Sequence, residues 1–194
     1  MPAFALEKTV AATTDTLSVD DVKQHLRIDT ALDDLYIARL ITAVRLYTEE
    51  YLGASLVPQT YRLSLPYFSS VVYIPVCPLT SITSIQYVDT AGDTQTLDSS
   101  KYVVDTRSKE GRIIPAYGEV WPSIRATLNP VTITFVAGYS LGECPEPIEQ
   151  AMLLLIGHYY ENRETTAPIA LTITINAVPM AYEFLLAPYR LPRF

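Results

Sequence analysis

The segment from Cys144 to Glu164, CPEPIEQAMLLLIGHYYENRE, constrains this chain most, because it is well marked as a helix and has no polar side. Pro147 suits a first helical turn, Glu146 and Glu149 favour its positive end, and Arg163 favours the far end. The run Ala151-Met152-Leu153-Leu154-Leu155-Ile156 is apolar throughout, and at about 100° per residue it wraps the whole circumference. Such a helix has to be covered on every side. Either it lies at the centre of its own chain, or the chain covers one face and a second subunit covers the other.

Two further helices precede it. Ser18 can cap a short helix over Val19 to Ile28, with Asp20 and Asp21 in its first turn. The next runs from about Asp33 to Leu52, where Ile37, Leu40, Ile41, Val44, Tyr47 and Tyr51 recur at three- and four-residue steps before Gly53. Its single apolar stripe can lie against the all-apolar helix, with Arg39, Arg45, Glu49 and Glu50 expected to face outward. The residues ahead of Ser18 read as a loose polar lead.

Between Leu56 and Tyr139 the period drops to two. Tyr61, Leu63 and Leu65 alternate with Arg62 and Ser64; Ile82, Ile85, Tyr87 and Val88 lead into the turn Asp89-Thr90-Ala91-Gly92-Asp93; Val131 to Val136 is another strand. Pro58, Pro66, Pro75, Pro78, Pro115, Pro122 and Pro130 fall where strands should start or stop, since proline cannot donate to a ladder. The fold class expected is therefore α+β, a helical scaffold with an inserted antiparallel β unit. Its parts are a helical 1–53, a β-rich 54–144, and a C-terminal 145–194 that packs with the first.

Beyond Glu164 no charge occurs until Glu183. Within that gap Leu171, Ile173 and Ile175 alternate with Thr172, Thr174 and Asn176, which reads as a strand without a sequence neighbour. It is either an edge strand of its own sheet or a segment that pairs with an adjacent subunit. Pro179 then opens a short helix, Met180 to Leu186.

Composition narrows the function. With 49% hydrophobic and 18% charged residues the chain is globular, and its formal charge of -7 argues against broad contact with nucleic-acid phosphates. The acidity sits mainly in residues 1–52, with 9 acids against 5 bases, as a solvated face or a surface for a basic partner. No basic start with a long apolar run is present, and no stretch approaches the roughly 20 residues needed to span a bilayer, so a soluble cytosolic product without membrane contact is expected. Cys77 and Cys144 are too few and too far apart for a metal knuckle or a disulfide framework, and are expected to be buried thiols.

Gly138-Tyr139-Ser140-Leu141-Gly142 matches the G-x-S-x-G pattern of serine hydrolases. In that motif a helix starts at the serine, whereas here Glu143-Cys144-Pro145-Glu146 intervene; the one downstream histidine, His158, lies inside the next helix. A glycine-rich strand exit is the better reading, and no catalytic residue is assigned. His25 and His158 lack carboxylates at metal-ligand spacing, so neither metal nor cofactor is expected. Tyrosine is the one enriched type, with 14 residues, and Tyr159, Tyr160, Tyr182 and Tyr189 fall outside the sheet, where contact roles are expected.

The pieces LSVDDVKQHLRID, YLGASLVPQTYRLSL, IPVCPLTSITSIQYVD, GRIIPAYGEVWPSIR, VTITFVAGY, CPEPIEQAMLLLIGHYYENRE and LLAPYRLPRF, in that order over roughly residues 17 to 194, carry a resemblance. The chain resembles the head-tail connector, or head-completion, proteins of long-tailed DNA bacteriophages and related gene transfer agents. That resemblance implies a virion structural protein of the neck, made in the host cytoplasm and assembled as a ring, commonly twelve-fold. One side would dock on the portal protein and the other would receive a tail-side stopper or tail-completion protein, with genome DNA passing through the lumen unread. Within it, Tyr159, Tyr160, Arg163, Leu171, Ile173 and Ile175 are the expected subunit contacts. Tyr189, Arg190, Arg193 and Phe194 are the expected contacts with the portal or neighbouring ring. The alternative is a β-sandwich binding module of a tail or baseplate accessory protein, which would need an exposed aromatic platform that the lone Trp121 is poorly placed to provide.

Overall fold

The computed structural model describes residues 4–163 and 180–191. Its elements run β1 (Ala5–Val10), α1 (Val19–Leu26), α2 (Asp34–Leu52), β2 (Gln59–Leu65), β3 (Val72–Tyr73), β4 (Leu79–Val88), β5 (Thr94–Thr96), β6 (Tyr102–Asp105), β7 (Arg112–Pro115), β8 (Val131–Ala137), α3 (Glu146–Glu161) and α4 (Met180–Leu186). They form two compact units. Among the described residues, the first combines the N-terminal segment to Thr13 with Gly53–Ser140, and the second combines Thr14–Leu52 with the C-terminal part from Leu141 to Leu191.

The β unit is built on alternation. β2 and β8 pair antiparallel in full register from Gln59↔Ala137 to Leu65↔Val131, so Tyr61, Leu63, Phe135 and Ile133 all point to one face. Strand order in the larger sheet is β1-β2-β8-β4-β5, and a second sheet, β3-β7-β6, shares its core through Val72 and Ile113. Tyr61 stacks on Phe135 with centroids 5.5 Å apart in the middle of that core. Pro58, Pro78 and Pro130 stand immediately before β2, β4 and β8, and Pro66 immediately after β2, as a missing N–H requires. In the β4–β5 turn, the Asp89 carboxylate accepts the N–H groups of Ala91, Gly92 and Asp93 at 2.9 to 3.0 Å.

The N-terminal segment corrects the sequence reading. Ala5–Val10 is a strand, β1, hydrogen-bonded along β2 from Ala5↔Ser64 to Val10↔Thr60, so the helical part begins at Thr14 and not at residue 1. Its alternation is too short and too polar to announce a strand alone; the neighbouring β2 backbone supplies what the side chains do not.

In the helical unit, Ser18 caps α1 in a reciprocal box with Asp21, and Arg27 ends it in the left-handed conformation. α3 packs against α1, α2 and α4, burying Ile148, Ala151, Met152, Leu155 and Ile156, while Leu153 and Leu154 are half-buried. A helix that reads as apolar on all sides is thus fully covered on one face.

α2 departs from expectation more sharply. Arg39 and Glu50 are exposed as expected, but Arg45 and Glu49 are buried, at 5% and 7% exposure. Arg45 Nε donates to Asp15 Oδ1, its Nη1 donates to Glu49 Oε1 at 3.1 Å, and Thr42 Oγ1 donates to Asp15 Oδ2 at 3.2 Å. Burial alone would lower the guanidinium's pKa; the two carboxylates outweigh it and hold the value up. Asp15, from the supposed lead, is what allows Arg45 inside.

Candidate interaction surfaces

The end of α3 meets the start of α2 in a cluster of rings and charges. The Asp33 carbonyl accepts the Ile37 N–H at 2.9 Å, the first helical bond of α2, while its carboxylate turns toward α3. There Tyr160 Oη donates to Asp33 Oδ2 at 2.6 Å and Arg163 Nη2 donates to the same oxygen at 3.1 Å. The Arg163 guanidinium lies 4.7 Å from the Tyr36 ring centroid and 4.8 Å from that of Tyr160, so it is held between two π faces. Tyr36 Oη donates to the Tyr159 carbonyl at 3.3 Å. Tyr160 first, then Arg163, holds the Asp33 carboxyl below the ordinary carboxylate range, and the same carboxylate pushes the Tyr160 phenol up. Tyr160 and Arg163 thus make their described contacts within the chain, where they staple two helices. Of the three sequence-selected residues here, Tyr159 is 40% exposed beside His158, and the Arg163 side chain keeps 49% exposure despite its bond to Asp33.

α4 and the C-terminal segment form a second cluster. Tyr182, expected to be a contact residue, is fully buried between the rings of Tyr47 and Tyr51, each 5.9 Å away. Its hydroxyl lies 3.0 Å from Thr48 Oγ1; because Thr48 gives its own proton to the Val44 carbonyl at 2.7 Å, Tyr182 is the donor. Burial pushes the Tyr182 phenol up to about 12. Beyond α4, the Arg190 guanidinium sits 5.0 Å from the Tyr51 centroid, and the Leu191 N–H caps the Leu52 carbonyl at the end of α2 at 2.9 Å. Tyr189 is half-buried and Arg190 exposed. Leu191 is itself buried, so cutting the chain after Pro188 would disturb the end of α2.

Leu171, Ile173, Ile175, Arg193 and Phe194 lie outside the described residues. Among those described, Leu32, Leu35 and Phe184 in the helical unit, and Tyr117, Val120 and Leu128 in the β unit, are large apolar side chains more than three-quarters exposed. Sequence reasoning assigned them no role, because an exposed apolar residue in a loop, in a short helix or, as with Leu35, in the first turn of a long one breaks no period.

The geometry offers no reaction centre at Ser140. β8 ends at Ala137 and α3 begins at Glu146, which leaves the serine on an exposed loop rather than at a helix start. Gly138, the first residue of the motif, has φ +131°, and a Cβ there would lie 2.1 Å from the Val57 carbonyl oxygen. Its glycine serves a close backbone approach. Cys77 and Cys144 are buried free thiols, and burial pushes Cys144 up to about 12. No grouping of three or more His, Cys, Asp or Glu able to hold a metal occurs among the described residues, nor is any described helix long and apolar enough to cross a membrane. Trp121 stacks on Phe68 at 4.6 Å and donates its indole N–H to the Ser69 carbonyl at 2.8 Å, so it is committed to packing rather than to a ligand platform.

No curated protein sequence matches the chain. Three solved structures are similar over nearly its whole length. A chain in the neck of an empty gene transfer agent particle, computed with C6 symmetry, is 25% identical at TM-score 0.78, covering 98% of this chain and 97% of that one. A chain in the virion of a native gene transfer agent particle is 24% identical at TM-score 0.77, covering 97% and 96%. A chain in the neck of the native particle, computed with C12 symmetry, is 24% identical at TM-score 0.69, covering 98% and 97%. The family model for head completion proteins matches residues 15–191, and the chain belongs to that family.

Proposed function

We propose that this chain is a non-enzymatic connector of the virion neck: copies form a ring that docks on the portal, accepts a tail-side stopper or tail-completion protein, and lets genome DNA pass through the lumen. The observation that carries this is the family match across residues 15–191 together with similarity to neck subunits over nearly all of the chain. The molecule's own chemistry agrees. Its buried ionic groups are engaged in packing, Ser140 sits on a loop, and a formal charge of -7 suits a conduit that DNA must traverse without adhering. Exposed Tyr159 and Arg190, with Arg193 and Phe194, remain the residues proposed for neighbouring copies and the portal, while Tyr160 and Arg163 contribute by fixing the end of α3.

Deleting the chain from a producing strain should yield filled heads and free tails that fail to join, with joining restored by the wild-type chain and by Ser140→Ala alike. Joined particles formed without it would overturn the connector role.

A further inference from the structure

β1 is a sheet edge that nothing within the described chain covers. It bonds to β2 along one side only, all six of its residues are exposed, and at about 3.3 Å per residue it offers an edge of roughly 20 Å. Edge strands are ordinarily blunted by charges, prolines or bulges. Here the charges turn sideways: Glu7 reaches Arg62 of β2 at 3.4 Å, and the Lys8 ammonium lies 5.8 Å over the Tyr61 ring. A single register shift between Lys8 and Val10 leaves the run from Ala5 to Lys8 regular.

Side chains add a second indication. Leu6 lies opposite Leu63, and the alternation places Phe4 on the same face, so both prolong the row Leu65, Leu63, Tyr61 that forms the core face of β2. Leu63 is 1% exposed, whereas Leu6 and Phe4 are 40% and 43% exposed. The core thus runs out to the edge and stops with no described residue over it. A strip that joins open backbone to uncovered core residues fits extended backbone from another polypeptide.

We infer that β1, with Phe4 and Leu6, is a subunit-to-subunit surface on which an adjacent copy of this chain adds extended backbone to the larger sheet. The inference rests on the ring reading above, and symmetry sharpens it. Two β1 strands pairing with each other would be related by a two-fold axis and would close a dimer. A ring of the kind computed with C6 or C12 symmetry for similar neck subunits needs a different surface of the neighbour against β1. The contact is therefore head-to-tail.

The test uses the full chain loaded on purified portal. Backbone amides of residues 5–10 should exchange at least tenfold more slowly in the complete ring than in the free chain. The double variant Phe4→Asp/Leu6→Lys should keep its circular dichroism and melt within a few degrees of wild type, and should still bind portal as scattered copies that do not close. A complete ring of the variant, or β1 amides exchanging as fast in the ring as in the free chain, overturns the inference. Protection already present in isolated copies on sparsely loaded portal overturns it in favour of a portal contact. Failure of the wild-type chain to load at all is a separate outcome, and counts against the connector role itself.

Discussion

The two units bury different chemistry. The β unit's core is an apolar cluster from two sheets, with buried polar side chains only at Ser55 and Gln59 among the described residues, where Gln59 Nε2 donates to Ser55 Oγ at 2.7 Å. The helical unit buries Arg45, Thr48 and Glu49 along one helix and joins them to Asp15 and Tyr182 from distant segments. A sheet satisfies its polar backbone between strands and can fill its interior with alternating apolar residues. Packed helices leave gaps at their ends and along polar steps, and here ion pairs and tyrosine hydroxyls fill them. The lesson is that the first core rests on volume and the second on partners, so the two should fail in different ways.

The largest effect expected is Phe135→Ala, which opens a cavity beneath Tyr61 and should cost about 3–5 kcal/mol in urea denaturation. Recovery by a second apolar substitution nearby would sharpen the comparison; a cost below about 1 kcal/mol would break it. Arg45→Ala is next, at about 3 kcal/mol, the low end for breaking a buried pair because the Asp15 side chain keeps 27% exposure. Its signature is rescue. Replacing the whole group, as in Asp15→Leu/Arg45→Met/Glu49→Leu, should return most of the lost stability, since no uncompensated charge then stays inside. A triple variant less stable than Arg45→Ala would show that these charges do more than compensate one another.

Tyr182→Phe is the smallest, at about 1 kcal/mol for one neutral hydrogen bond, because Thr48 keeps its bond to Val44. It should also change the alkaline limb. A phenol held up to about 12 by burial contributes stability in full below the ordinary tyrosine value of about 10, and that contribution is lost as pH rises from about 10 toward 12. Melting temperatures across that window should fall more steeply for wild type than for Tyr182→Phe; parallel curves would assign the limb to other groups.

Much of the fold was legible in the chain. The ends of α1, α2 and α4 follow from Ser18, Gly53 and Pro179, and the strands β2 and β8 from their alternation between prolines. The tyrosines were less legible: Tyr159, Tyr160 and Tyr182 read alike in sequence, yet one is exposed, one is tied to Asp33 and one is fully buried. No neighbouring residue distinguishes them, because their partners, Thr48 in α2 and Asp33 just ahead of it, lie more than a hundred positions away.

What the sequence determined by itself is local: where backbone can be helical or extended, where it must turn, and which stripe of each element is apolar. Tertiary structure alone decided which polar groups could enter. Arg45 is inside because Asp15, 30 positions earlier, meets it there, and Leu6 stands at an edge that no described segment covers because β2 brings it beside Leu63. Periodicity records the faces of one element, whereas burial of a charge or exposure of a strand edge depends on what a distant segment places against it.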